Sequence, residues 1–423
     1  MKILKEQKSK NLLNAALWLI VVSFVGYGIR TAKVFTLFEK ENLTQDEYRK
    51  NLTRTGPFLF WRGDSVDVHE VDAGFMQYYD AKKRLLSKEE AQNTSFTCYT
   101  QNESDKISFK LHPIDIPPTE YPMPEKAIMV AGDISNFKGM KTFFVNNGVI
   151  NDKCEWTFGK GHLIIQEKPR SMESTFLWWL LYKLEREAAA AGGKLHVVLG
   201  SSPFSFLEKR DQGSMLMERN FVKLNDWTSD TVLQKNSEIG RWFFSKNVVE
   251  KMGDYIISTN GINSDISDSV NLEQINNLFR YTYLNGSFGK YNQVTVDKSI
   301  LKNFVEPNYL NFPGGYNVQS ILNGNVAYRE EGDSKRDIEL NNQTNQTVDD
   351  FLKRYNGKHV ITSFPFIRDR IVSKHDNKFI GYVMKYNNGG HSINTFEIRY
   401  EGLWFENNHV FVINDVGKKE RLF

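Results

Sequence analysis

Three short apolar runs between Ala127 and Pro203 constrain this chain more than any other feature. Ala127-Ile128-Met129-Val130 stops at Ala131-Gly132-Asp133-Ile134-Ser135-Asn136. Leu163-Ile164-Ile165 stops at Gln166-Glu167-Lys168-Pro169-Arg170, and Leu195 to Leu199 stops at Gly200-Ser201-Ser202-Pro203. A helical pattern from about Glu173 to Ala191, closed by Gly192-Gly193, separates the second run from the third. Apolar runs of this length, stopped by polar or Gly-rich turns and spaced by helical segments, predict strands in a sheet covered by helices. In such sheets chemistry gathers at the carboxyl ends of the strands. The three polar loops therefore mark where a site would form.

Within the helical pattern, Phe176, Trp179, Leu180, Lys183, Leu184, Glu187 and Ala188 fall on one stripe. Its apolar part reads as a core-facing surface, so Trp178 and Trp179 are expected to pack rather than to hold a ligand. The Gly192-Gly193 pair suits a C-terminal cap followed by re-entry into a strand.

A chain of 423 residues predicts more than one structural unit. Its net charge of +3 is the balance of 54 basic and 51 acidic residues. No basic block stands out, which argues against a nucleic-acid partner. Cys98 and Cys154 have no metal-ligand spacing; they form either one disulfide or two buried thiols, and the sequence leaves both open.

Leu12 to Ile29 carries no charge and is about long enough to span a bilayer as a helix. Lys2, Lys5, Lys8 and Lys10 precede it, against Arg30 and Lys33 after it. The heavier basic flank places residues 1–11 in the cytoplasm, 12–29 in the membrane as an uncleaved anchor, and the rest of the chain outside. A cleaved signal peptide is the competing reading, with Gly26-Tyr27-Gly28 a poor cleavage site.

After the anchor, Thr31 to Tyr48 reads as helical and Gly56 to Arg62 as a strand. Asp67 to Leu86 has helix-compatible spacing, and Ser95 to Leu111 alternates as a strand or hairpin. His112 to Pro124 holds five of the eleven prolines, so it predicts an extended linker. Residues 30–124 are thus expected to be an accessory and linker region, with an α/β domain over 125–423. Ser237 to Lys251 and Asn271 to Arg280 read as helices, Tyr255 to Ser258 and Val360-Ile361-Thr362 as strands. The polar, Asn-rich stretch at about 285–350 reads as an inserted surface loop. The tail alternates with turn signals at Asn407-Asn408 and Asp415-Val416-Gly417, predicting antiparallel strands.

The order and spacing of these loops resemble the calcineurin-like metallophosphoesterases, over about Lys126 to Phe423. Asn147 to Asp152, Trp156 to Leu163, Leu177 to Ala191, Gly192 to His196, Glu238 to Trp242 and Glu401 to Glu406 read like the bacterial branch. The resemblance implies a β-sandwich flanked by helices (αββα). It also implies a reaction run by two metal ions that generate a hydroxide and clamp a phosphate.

The family's metal-ligand positions, followed one by one, are mostly lost here. Of the first Asp-x-His motif Asp133 is kept, but Ser135 stands at the His. The Gly-Asp-x-x-Asp-Arg motif is Ile165-Gln166-Glu167-Lys168-Pro169-Arg170, so Gln166 holds the place of a carboxylate and only Glu167 could substitute, by a slip of one. Gly-Asn-His-Glu becomes Gly200-Ser201-Ser202-Pro203, removing the Asn ligand and the catalytic His. Thr259 and Phe364 stand at the two later histidines. Hydroxyls are poor ligands for such metals and a phenyl ring is none.

The resemblance therefore implies a degenerate member with no catalytic residues, no metal and no cofactor. Its expected role is a structural or recognition subunit beside other proteins, anchored in the inner (cytoplasmic) membrane with its main domain periplasmic. A divergent metal-dependent phosphoesterase and a ligand-binding module using the old cleft are the alternatives. Arg170 is the residue to watch for the latter, although a surface ion pair explains it as well. Asp133 could cap a helix or hold a single ion. Ser201 and Ser202 lack the glycine-flanked elbow of a nucleophile and read as a polar turn. His162, His196 and His391 lie outside the family's ligand positions and read as framework or surface residues.

Overall fold

In the computed structural model, described residues are 55–73, 79–100, 104–131, 137–166, 174–199, 235–258, 271–285, 326–331, 335–340, 342–363, 371–374, 378–382, 385–387 and 398–423. The chain opens with β1 (Thr55–Arg62), β2 (Ser65–Ala73) and β3 (Tyr79–Ser87), an antiparallel sheet, then α1 (Lys88–Asn93) and the hairpin β4 (Phe96–Tyr99) with β5 (Lys106–Phe109). Ser87 caps α1 with a capping box: its hydroxyl accepts from Glu90 N–H while the Glu90 carboxylate accepts from Ser87 N–H. Next come β6 (Glu120–Tyr121), β7 (Lys126–Ala131), α2 (Phe137–Asn146), β8 (His162–Gln166), α3 (Ser174–Ala190) and β9 (Lys194–Val198). They lead into α4 (Glu238–Ser245), β10 (Val249–Met252), β11 (Tyr255–Ser258), α5 (Leu272–Asn285), β12 (Val326–Glu331), β13 (Lys335–Leu340) and α6 (Asn342–Arg354). The chain closes with β14 (His359–Ser363), β15 (Ile371–Lys374), β16 (Phe379–Tyr382), β17 (Lys385–Asn387), β18 (Ile398–Glu406), β19 (His409–Asn414) and β20 (Lys419–Arg421).

The three apolar runs form β7, β8 and β9, which pair in parallel with Ala127 beside His162 and His162 beside Lys194. Ala127 to Val130 and Leu163 to Ile165 are fully buried, as continuous apolar strands are when both sheet faces are covered. Antiparallel β18, β19 and β20 extend this sheet past β7, in the order β20-β19-β18-β7-β8-β9, with β17 also on β18. A six-stranded sheet in the order β15-β16-β14-β11-β10-β6 faces it, with Tyr255 of β11 edge-on to Phe405 of β18. Helices α2 and α3 pack on the first sheet, and α5 and α6 on the second. The described residues thus form a mixed α/β fold, with helices packed on each of two sheets.

Helix α3 is more deeply enclosed than a single stripe requires. Phe176 through Tyr182 are all buried, because β1, β4 and β5 cover the face turned away from the sheet. Trp179 stacks on Phe109 with centroids 4.2 Å apart and donates its indole N–H to Pro57 O at 2.8 Å. Trp178 and Trp179 are packing residues, as expected. Residues of the accessory strands, Phe58, Phe60, Phe96 and Phe109, belong to the same hydrophobic core as Trp179 and Trp242. The cap after α3 is also as read: Gly192 has φ +76° and Gly193 N–H bonds back to Ala188 O at 2.8 Å.

Three local expectations are corrected, and one open alternative is decided. Asp67 to Leu86 is not helical; it supplies most of β2 and β3, because Val66 and Val68 face the core on alternate positions and two flanking strands supply the hydrogen bonds. The helix expected over Ser237 to Lys251 ends at Ser245, where the Asn276 side chain captures the N–H groups of Val248 and Val249 and starts β10. The polar stretch at 285–350 is not simply loop. It contains the β12–β13 hairpin and most of α6, whose Val348, Phe351 and Leu352 are buried at helical spacing beneath a polar composition. Cys98 and Cys154 are both free and buried, so the disulfide does not form. The Leu12 to Ile29 segment, the helix expected at 31–48 and His391 lie outside the described residues. Among the described residues no helix is long and apolar enough to cross a membrane.

Candidate functional site

Within each sheet the carboxyl ends of β7 and β8, and of β11 and β14, point the same way, and contacts of Gln166 with Ser258 and Ile361 bring the two sets of ends together. The loops that follow them hold the sequence-predicted positions. Of these, Gln166 is the one described; Asp133, Ser135, Glu167, Arg170, Ser201, Ser202, Thr259 and Phe364 lie outside the described residues.

Gln166 ends β8 and is fully buried. Its amide nitrogen donates to Ser258 O at 3.1 Å and to Ile361 O at 3.3 Å, main-chain oxygens of β11 and β14 in the facing sheet. The amide thus ties one sheet to the other at the strand ends. A carboxylate at this position would set its own lone pairs against those carbonyl oxygens, and burial would deepen the repulsion. The amide oxygen is buried with no hydrogen-bond partner among the described residues, an uncommon state for a buried acceptor.

A second polar tie lies near the amino ends of the same strands, and sequence reasoning missed it. His196 on β9 places Nδ1 2.6 Å from the Glu250 carboxylate of β10, across from the other sheet. Its Nε2 lies 2.9 Å from His162 Nδ1 at the start of β8. With the Nδ1 proton of His196 directed at the carboxylate, its Nε2 accepts from His162, so one tautomer satisfies the chain of contacts. Asn247 donates to the second Glu250 oxygen at 2.9 Å, and the Tyr121 ring packs edge-on against His196 at 4.6 Å. Burial pushes the His162 imidazole down to about 4, helped by His196 and Lys194. One signal was present in the sequence: in neighbouring parallel strands, His162 and Lys194 are paired and His196 lies two residues on, so all three share a face. Glu250, on a distant strand of the other sheet, could not be read from spacing.

Among the described residues no group of three His, Cys, Asp or Glu side chains is placed to hold a metal ion. The His196–Glu250 pair is consumed by its own hydrogen bonds and supports packing between sheets.

No protein-family model and no curated protein matches the sequence. Solved structures do match in three dimensions. The cold-active protein-tyrosine phosphatase of a psychrophilic Shewanella aligns with a TM-score of 0.63 at 19% identity, over 88% of this chain and 99% of that one. A point mutant of a cold-active protein tyrosine phosphatase aligns equally well, with the same coverage and identity. A further structure of a cold-active protein tyrosine phosphatase gives a TM-score of 0.62 at 20% identity, over 88% and 98%. At such identities the likeness speaks for the fold alone: this chain has a phosphoesterase-type α/β fold.

Proposed function

We propose that this chain is a membrane-anchored, catalytically inactive phosphoesterase-fold protein, a structural or recognition subunit of a membrane-associated complex. The observation that carries the reading is Gln166. Where the resembled family needs a metal-bridging carboxylate, this chain has a neutral amide, fully buried and spent on two main-chain carbonyls of the facing sheet. At the other motif positions of that family, Ser135, Ser201, Ser202, Thr259 and Phe364 put hydroxyls and a phenyl ring in the sequence where it has ligand types. One aspartate, Asp133, and a glutamate out of register, Glu167, leave too few charges to hold two metal ions. A scaffold whose ligands are lost while its framework persists is one retained for its surface, and the uncharged segment at Leu12 to Ile29 supplies the anchor.

The test is metal content. The full chain, extracted in mild detergent, is incubated with manganese and zinc, desalted and analysed by mass spectrometry. Near-zero bound metal is the expected result. One or two equivalents, lost in Asp133→Ala, would overturn the reading in favour of a divergent hydrolase.

A further inference from the structure

A cavity of about 1140 Å³ opens beside the accessory strands, on the His196–Glu250 side of the sheets and away from the carboxyl strand ends. The proline-rich segment around Pro113 to Pro118 forms one wall, and the end of α3 with the start of β9 forms the other. Lys194, on that second wall, begins β9 beside the first residue of β8, so the cavity belongs to the amino ends of the strands.

Its charges are unevenly spent. Three of the wall carboxylates are occupied by the protein itself. Glu185 accepts from Trp242 Nε1 at 2.6 Å and pairs with Lys246; Glu238 accepts from Trp61 Nε1, Tyr182 and Arg241; Glu250 holds His196 and Asn247. By contrast, Lys88, Lys110, Arg186 and Lys194 line the same cavity with no ion pair among the described residues, against one unpaired carboxylate, Asp115. The Lys194 ammonium stands 4.3 Å over the Tyr121 ring. The Tyr121 hydroxyl is buried with no hydrogen-bond partner among the described residues, although buried hydroxyls are almost always paired. Unpaired cations round a concave wall are the features of a site whose counter-charge comes from outside.

We propose that this cavity binds a small organic phosphate, with Lys194 and Arg186 neutralising its charge. Several separate cations suit a multiply charged group better than a single carboxylate. The apolar prolines and Trp61 at the wall suit the organic body of the ligand. This assignment is independent of whether the strand-end positions hold metal.

The experiment is calorimetric titration of the full chain in detergent with inorganic phosphate, with pyrophosphate and, as the carboxylate arm, with citrate. Saturable binding of the phosphates is expected, weakened about tenfold by Lys194→Ala or Arg186→Ala and unchanged by Lys353→Ala on the exposed face of α6. No saturable phosphate binding, equal affinity for citrate, or binding unaffected by both Lys194→Ala and Arg186→Ala would each overturn the proposal. Phosphate bound at the strand ends instead would appear as that last outcome.

Discussion

His196 Nδ1 lies 2.6 Å from the Glu250 carboxylate, and the two side chains, from different sheets, are almost wholly enclosed. This contact is a polar seam near the amino ends of the sandwich, as Gln166 is at the carboxyl ends. Removing one partner leaves the other buried without its hydrogen bond. Glu250→Ala is expected to cost about 2–5 kcal/mol in urea unfolding, and His196→Ala a similar amount. The double variant should cost clearly less than the sum; strict additivity would mean that the two groups do not depend on each other.

The His162 imidazole carries a pH dependence of definite sign. Its ordinary value is 6.5, and burial lowers it to about 4 in the folded chain. The unfolded chain therefore takes up the proton first as pH falls. The contribution is whole above 6.5 and is lost progressively as pH drops toward 4. Denaturant midpoints measured across that window should fall, and His162→Gln should flatten the slope. An equal slope in the variant would assign the loss to other groups.

Gln166→Asp puts an ionised group against Ser258 O and Ile361 O inside the sandwich. A destabilisation of about 3 kcal/mol or more at neutral pH is expected, eased on acidification as the new carboxyl takes a proton. Gln166→Met keeps the volume but loses both hydrogen bonds, at about 1–3 kcal/mol. Thermal melts of both variants decide the matter. A stable Gln166→Asp chain that takes up metal would show that the amide is not a fixed clamp.

Both cysteines should behave as inert thiols. Burial raises the Cys98 thiol far above its usual range and pushes Cys154 up to about 11. Under native conditions a thiol reagent should label neither at an appreciable rate. In denaturant without reductant both should label fully. Failure to label there would indicate a disulfide.

How much of this was legible beforehand can be judged from particular residues. The runs at Ala127, Leu163 and Leu195 announced three strands, and Gly192-Gly193 announced the end of α3. Both signals are local, set by apolar continuity and by backbone freedom at one turn. Val68 was misread within a helix-compatible spacing, because flanking strands settled the matter. Polar composition concealed α6, since only Val348, Phe351 and Leu352 reach the core.

Sequence alone determined the strand-and-helix alternation, the hydroxyl and phenyl side chains at Ser135, Ser201, Ser202, Thr259 and Phe364, and the neutral amide at position 166, since each is a matter of which residues stand in order. Only the tertiary structure decided what those residues meet. It set Gln166 against carbonyls of β11 and β14, His196 against Glu250, and gathered round one cavity four cations that are unpaired among the described residues. Those partners lie tens of residues or more apart in the chain, and a hydrogen bond or a charge acts over a few ångströms of space, so spacing along the sequence carries no record of them.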